Sequence, residues 1–292
     1  MFDSGSVGNV DTLNNNGFVY VGPGATLNLT NQNGGIQTVA AGSTFDIEGD
    51  FIDKVANDSA FAQLTDIYGA VRIANGSTIQ DNPVGKTLTI YGGGSLNIQN
   101  GTIFKVHANV VGLYQGSITL DPSSLIIEGT LYNYGAHITV DGNSVFSVGS
   151  VVNGGPLMLT HNAGMSVNNG FYQLASGTLG ESIDATGFSI VTVNGGPVVL
   201  DGTLDVMLDP GFDPAIGTTY RFILFQPGEL SGTFASIQNQ YFNNRTEGWR
   251  VIYDNTDGYV ELEATPSPEP SSLLLLSSGL LSLAYGMRRR WM

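Results

Sequence analysis

The side chains able to do chemistry in this chain are few and scattered. Carboxylates crowd together at Asp46, Glu48 and Asp50. Glycoside hydrolysis needs two carboxyls facing one bond from opposite sides, whereas alternation along an extended strand turns Asp46 and Glu48 the same way, into solvent. Polysaccharide lyases pair a base with a cation. The basic residues ahead of the C-terminal tail are Lys54, Arg72, Lys86, Lys105, Arg221, Arg245 and Arg250, and none has obvious site spacing to an acidic cluster. His107, His137 and His161 are far apart, and a metal site would need a third ligand in register with two of them. Asp254-Asn-Thr-Asp257-Gly258 opens like a calcium loop but lacks the downstream glutamate, so it reads as a turn. Gly22-Pro-Gly24 and Gly92-Gly-Gly94 complete no phosphate-binding pattern, and no G-x-S-x-G elbow occurs. The absence of cysteine removes disulfides, thiol nucleophiles, thiolate metal sites and a lipidated cysteine. The expectation is a chain with no catalytic residue, no metal and no cofactor.

The elements that position these residues are short strands. Forty glycines in 292 residues, with 12% charged and 41% hydrophobic residues, describe a chain too apolar for disorder and too glycine-rich for helices. Its formal charge of -15 repels phosphate backbones, so no nucleic acid is expected as a partner, and the acidity reads first as what keeps a secreted protein soluble. One phrase recurs between residues 24 and 170, a turn residue followed by polar/apolar alternation. It appears as Ala25-Thr-Leu27-Asn-Leu29, Ser43-Thr-Phe45-Asp-Ile47, Ser95-Leu96-Asn-Ile98 and Met165-Ser-Val167. Each copy puts two apolar side chains on one face. The copies often return after about 18 to 21 residues, as from Gly24 to Gly42 and from Gly142 to His161, which suits one rung of a parallel β-solenoid. Asn-Gly pairs at residues 16–17, 33–34, 100–101, 153–154, 169–170 and 194–195 offer positive-φ corners, but they also suit two-residue hairpins, which leaves an antiparallel β-sandwich as the alternative. Residues 55–67 break the rhythm as a loop insertion in which Asn57 or Asp58 could cap a short helix.

Three regions follow: a β-solenoid over residues 1–197, a C-terminal β module over 198–264 that caps the last rung, and a tail over 265–292. In the module, strands around Trp249-Arg-Val-Ile-Tyr253 and Tyr259-Val-Glu-Leu262 are expected to form a hairpin through the 254–258 turn. The tail opens with prolines, passes through the uncharged run 271–287 and ends at Arg288, Arg289 and Arg290. As a helix that run would be about 25 Å long, just enough to cross a bilayer, with the arginines held on the cytoplasmic side.

Pro268-Glu269-Pro270, a leucine-rich span and a terminal basic cluster, in that order, resemble the PEP-CTERM sorting signal of bacterial exported proteins. The module over 198–264 is similar to those that close autotransporter-like β-helix proteins of that kind. The resemblance covers about a tenth of the chain. It implies that an exosortase recognises Pro268, Glu269 and Pro270 and processes the tail, while residues 271–287 and Arg288 to Arg290 hold it at the inner membrane. No signal peptide is visible at Met1-Phe-Asp-Ser-Gly, so the expectation for an exported protein is that the true start lies upstream or that the sequence is a fragment. The reading that results is a structural or adhesive protein of the cell surface or extracellular space, associated with exopolysaccharide in a biofilm matrix. The alternatives are a polysaccharide-active β-helix enzyme and an ice-binding protein, although the Thr-x-Thr pattern that ice binding needs stands nearly alone at Thr87-Leu-Thr89.

Overall fold

The computed structural model describes residues 1–81 and 86–267, and these are almost wholly β. The chain winds as a parallel β-solenoid of about nine turns. Each full turn lays down three short strands, one on each of three faces. The first face is a sheet of ten strands, from Phe18–Val21 through Ser117–Asp121 to Ser236–Gln238. A second sheet of sixteen strands wraps the other two faces, and a four-stranded sheet begins the second face at Val7–Val10. In the middle of the solenoid one strand spans both of these faces, as in Ser124–Tyr134, Val145–Asn153 and Gly164–Gln173. The corner is a register shift between Ile127 and Thr130, repeated between Val148 and Ser150. Rungs approach so closely there that a Cβ on Gly149 would lie 2.2 Å from the Glu128 carbonyl oxygen.

The alternation read in the sequence builds the core. On the first face Phe45, Val71, Leu96, Ile118, Ile138, Leu157, Leu179 and Leu204 stand in one inward column, each paired in register with the next. All are buried, and each contributes about 1.5–3 kcal/mol. No rung could bury its column alone; its neighbours complete it. The backbone pairing is parallel from rung to rung, so the solenoid and not the antiparallel sandwich is the fold.

The recurrence of 18 to 21 residues holds only in part. Val145 pairs with Gly164, a true rung step, and Asn133 and Asn153 are bonded 20 residues apart. The step from Gly24 to Gly42 instead joins strands of different faces: Thr26–Leu29 pairs with Asp50–Asp53, and Thr44–Ile47 with Ala70–Ile73. Alternation is identical on every face, so it cannot tell one face from another. Asn100 and Gly101 both take positive φ as expected, but at Asn194-Gly195 the left-handed residue is Gly196. Residues 55–67 are an insertion without a helix. Asp58–Ser59 folds back antiparallel on Ile52 and Asp53, and the Asp53 carboxylate accepts from the Val55 and Ala56 N–H groups. Phe61 then packs edge-on against Phe45 and Phe51, which anchors the insertion in the core.

Parallel pairing runs past residue 197, through Val198–Leu200, Thr203–Leu208 and Leu230–Gly232. Residues 198–264 therefore both extend the solenoid and close it. Closure is antiparallel: Thr219–Leu224 pairs with Tyr259–Pro266, which pairs with Glu247–Asp254 around the 254–258 turn. The Asp254 carboxylate accepts from the Thr256 and Asp257 N–H groups, fixing that turn. Phe188, Tyr220, Trp249 and Phe242 form a chain of ring contacts that ties the closing strands together.

Candidate functional site

The sorting residues Pro268, Glu269 and Pro270, the run 271–287 and Arg288, Arg289 and Arg290 lie outside the described residues. Among the described residues no helix is long and apolar enough to cross a membrane. The last described residue, Ser267, is tied by its N–H to the Thr246 carbonyl at 2.8 Å, so the tail departs from the closing module.

The carboxylate cluster is organised differently from the expectation. Arg72, one rung away, reaches both carboxylates: its Nη1 lies 2.6 Å from Asp46 Oδ1 and 2.8 Å from Glu48 Oε1. Its Nε donates to Gln99 at 2.8 Å, and the Tyr20 hydroxyl donates to Glu48 at 3.1 Å. A basic residue does therefore sit beside an acidic cluster, because parallel register places Asp46 directly beside Arg72. The Arg72 hydrogen bond holds Glu48 below the usual carboxylate range, and Glu48 in turn pushes the Tyr20 hydroxyl up. One group stays ionised and the other protonated, so the cluster works as an electrostatic strap across four rungs. Asp50 stands apart on the second face, opposite Thr26.

The histidines are not brought together. His107 pairs with Glu128 at 2.9 Å and His161 pairs with Asp141 at a corner. His137 projects from the first face in register with Ser117. The Asp141 hydrogen bond raises His161 above its ordinary value. Among the described residues no group of three or more His, Cys, Asp and Glu side chains could hold a metal ion. Thr89 lies between Asp66 and Val111 on adjacent rungs, so the Thr-x-Thr pattern does not continue through it.

What the fold does assemble is an aromatic face. On the third face the outward positions form two columns along the solenoid. One runs Asp66, Thr89, Val111, Tyr132, Val152 and Tyr172. The other follows two residues later on the same rungs and includes Tyr68, Tyr91, Leu113, Tyr134 and Leu174. Tyr114 stands beside it at the corner, 72% exposed, with Tyr134 at 51% and Tyr68 at 38%. Tyr68 and Tyr91 stack with ring centroids 3.9 Å apart, and Tyr132 and Tyr134 lie 5.9 Å apart with nearly parallel planes. Asp66 is the single charged residue among these positions, and its carboxylate already accepts from the Tyr91 and Thr65 hydroxyls. The Tyr68 and Asp66 hydrogen bonds push the Tyr91 hydroxyl up, keeping it protonated. The first face is chemically different at its outward positions, with Asp46, Arg72, Asn97, Thr119 and Thr139 in one column.

Sequence reasoning missed this face, although a signal was there. Tyr68-Gly69, Tyr91-Gly92, Tyr114-Gln-Gly116 and Tyr134-Gly135 repeat at nearly the rung spacing. A concavity of about 470 Å³ lies between the last rung and the closing hairpin, lined by Phe234, Ile237, Tyr241, Trp249, Arg250 and Tyr253. The Trp249 indole N–H is buried without a hydrogen-bond partner among the described residues.

Compared with known proteins, the chain matches no protein-family model and no curated protein.

Proposed function

We propose that this chain is an exported bacterial protein of the cell surface or extracellular space, structural or adhesive in role, sorted by an exosortase through its PEP-CTERM tail and associated with exopolysaccharide. The observation that carries the reading is the order of the tail: Pro268-Glu269-Pro270, then an uncharged run over 271–287, then Arg288 to Arg290. An apolar segment of that length has nothing to bury against in water and is at home in a bilayer. The fold is compatible with the role. Nine turns at about 4.8 Å per rung make a stiff rod roughly 43 Å long, and the tail leaves from its closed end.

Replacing Pro268, Glu269 and Pro270 by alanine in the producing cell should leave the tail uncleaved in the inner membrane. Normal maturation and release of that variant would overturn the sorting mechanism. Incubating the purified chain with a panel of glycans should release neither reducing ends nor unsaturated products. Release of either would replace the adhesive reading with that of a polysaccharide-active enzyme.

A further inference from the structure

We infer that the tyrosine face of the solenoid is a docking surface for an extended, uncharged polysaccharide chain. The inference rests on the exopolysaccharide reading above and deepens it by naming the surface and the class of glycan.

Residue type points to the occupant. The phenylalanines of the central rungs, Phe104, Phe146 and Phe171, are buried. The aromatics turned outward on the third face, Tyr68, Tyr91, Tyr114, Tyr132, Tyr134 and Tyr172, are all tyrosine. A phenol offers an apolar ring and a hydroxyl together, matching a pyranose, which presents apolar C–H groups and a rim of hydroxyls. An exposed apolar strip of this kind on a soluble surface marks an interaction site.

Charge narrows the class. The strip has no lysine or arginine among its outward positions, and its one carboxylate is internally bonded. The chain as a whole carries a formal charge of -15, so a polyanionic glycan would be repelled with no local cation to offset it. A neutral glycan meets neither obstacle. Geometry fits an extended polymer: successive rungs are about 4.8 Å apart, close to the length of one pyranose unit, and the tyrosines recur along the solenoid axis over consecutive rungs.

The test uses the full chain and amorphous cellulose, a neutral β-linked glucan, with alginate as the polyanionic comparison. Three proteins are compared by depletion from solution: wild type, the double variant Tyr114→Ala/Tyr134→Ala, and the first-face double variant Thr119→Ala/Thr139→Ala. Tyr114 and Tyr134 are largely exposed, so their removal should leave the melting temperature unchanged, which thermal unfolding checks. The expected result is retention of wild type on cellulose, retention weakened at least about tenfold by loss of the two rings, and no change from the threonine pair. Failure of wild type to bind, equal loss in both variants, or binding to alginate in preference to cellulose would overturn the inference. So would sedimentation showing a wild-type dimer that the tyrosine variant dissociates, since a second copy would then be the occupant. The sorting experiment is independent. If the alanine-substituted tail stays in the membrane while cellulose retention fails, only this inference falls.

Discussion

Glu181 occupies a position built for an aliphatic side chain. It stands on the first face in register between Leu159 and Val206, both buried, and is itself 1% exposed. Neither carboxyl oxygen has a hydrogen-bond partner among the described residues. Burial pushes its carboxyl well above the ordinary glutamate value of 4.5, so it folds protonated. An uncharged carboxyl buried without a partner costs about 1–3 kcal/mol, and a leucine there would also fill the column. Glu181→Leu is therefore expected to stabilise the solenoid by about 2 kcal/mol even in acid. The pH dependence is the sharper consequence. In the unfolded chain Glu181 ionises from near pH 4.5, while the folded chain keeps its proton. The native state then binds more protons, and wild-type stability falls as pH rises between the unfolded and folded values. The slope is at most about 1.4 kcal/mol per pH unit. The advantage of Glu181→Leu should thus widen as pH rises from about 4.5 towards the folded value. Equilibrium denaturant unfolding of wild type, Glu181→Leu and Glu181→Gln across that range measures it, the glutamine variant sharing the polar burial without the titration. A gap between wild type and the leucine variant that stays constant with pH would refute the assignment of a buried, protonated carboxyl.

Asn133, Asn153 and Gln173 form a buried amide ladder, each Asn Nδ2 donating to the next rung's amide oxygen at 2.9 and 2.8 Å. Asn153→Ala should cost about 2–3 kcal/mol, because it leaves the Asn133 amide only the longer bond to the Pro156 carbonyl and the Gln173 amide oxygen without its donor, and thermal unfolding should show it. Gly196 has φ +70°, and a Cβ there would sit 1.6 Å from the Asn169 carbonyl oxygen. Gly196→Ala should therefore destabilise or misfold the rung, read as lost melting temperature and raised protease susceptibility. His161 should titrate above 6.5 by NMR and return towards that value in Asp141→Asn. A raised folded value means that its contribution is present below the unfolded pKa and lost as pH rises through the folded one. With the imidazole 66% exposed, screening keeps that contribution under about 1 kcal/mol.

Local alternation is a property of the chain itself, and it made the strands, their inward residues and the turn at 254–258 legible. Leu179-Gly-Glu181-Ser-Ile183 shows the strength of that signal: alternation alone turns Glu181 inward with Leu179 and Ile183. That its carboxyl finds no partner there depends on what the neighbouring rungs present. Arg72 is 24 residues from Glu48, and nothing local ties them; only the length of the intervening turn sets the register that joins them. The tyrosine face has the same origin. Each Tyr-Gly pair is an ordinary corner in one dimension, and four of them become a surface only when turns of unequal length bring them onto one edge. The sequence by itself determined the β character, the direction in which each strand side chain points, and the order of the tail. The tertiary structure decided which strands share a face and which outward residues meet, because alternation has period two on every face, whereas contact between rungs depends on the summed length of everything in between.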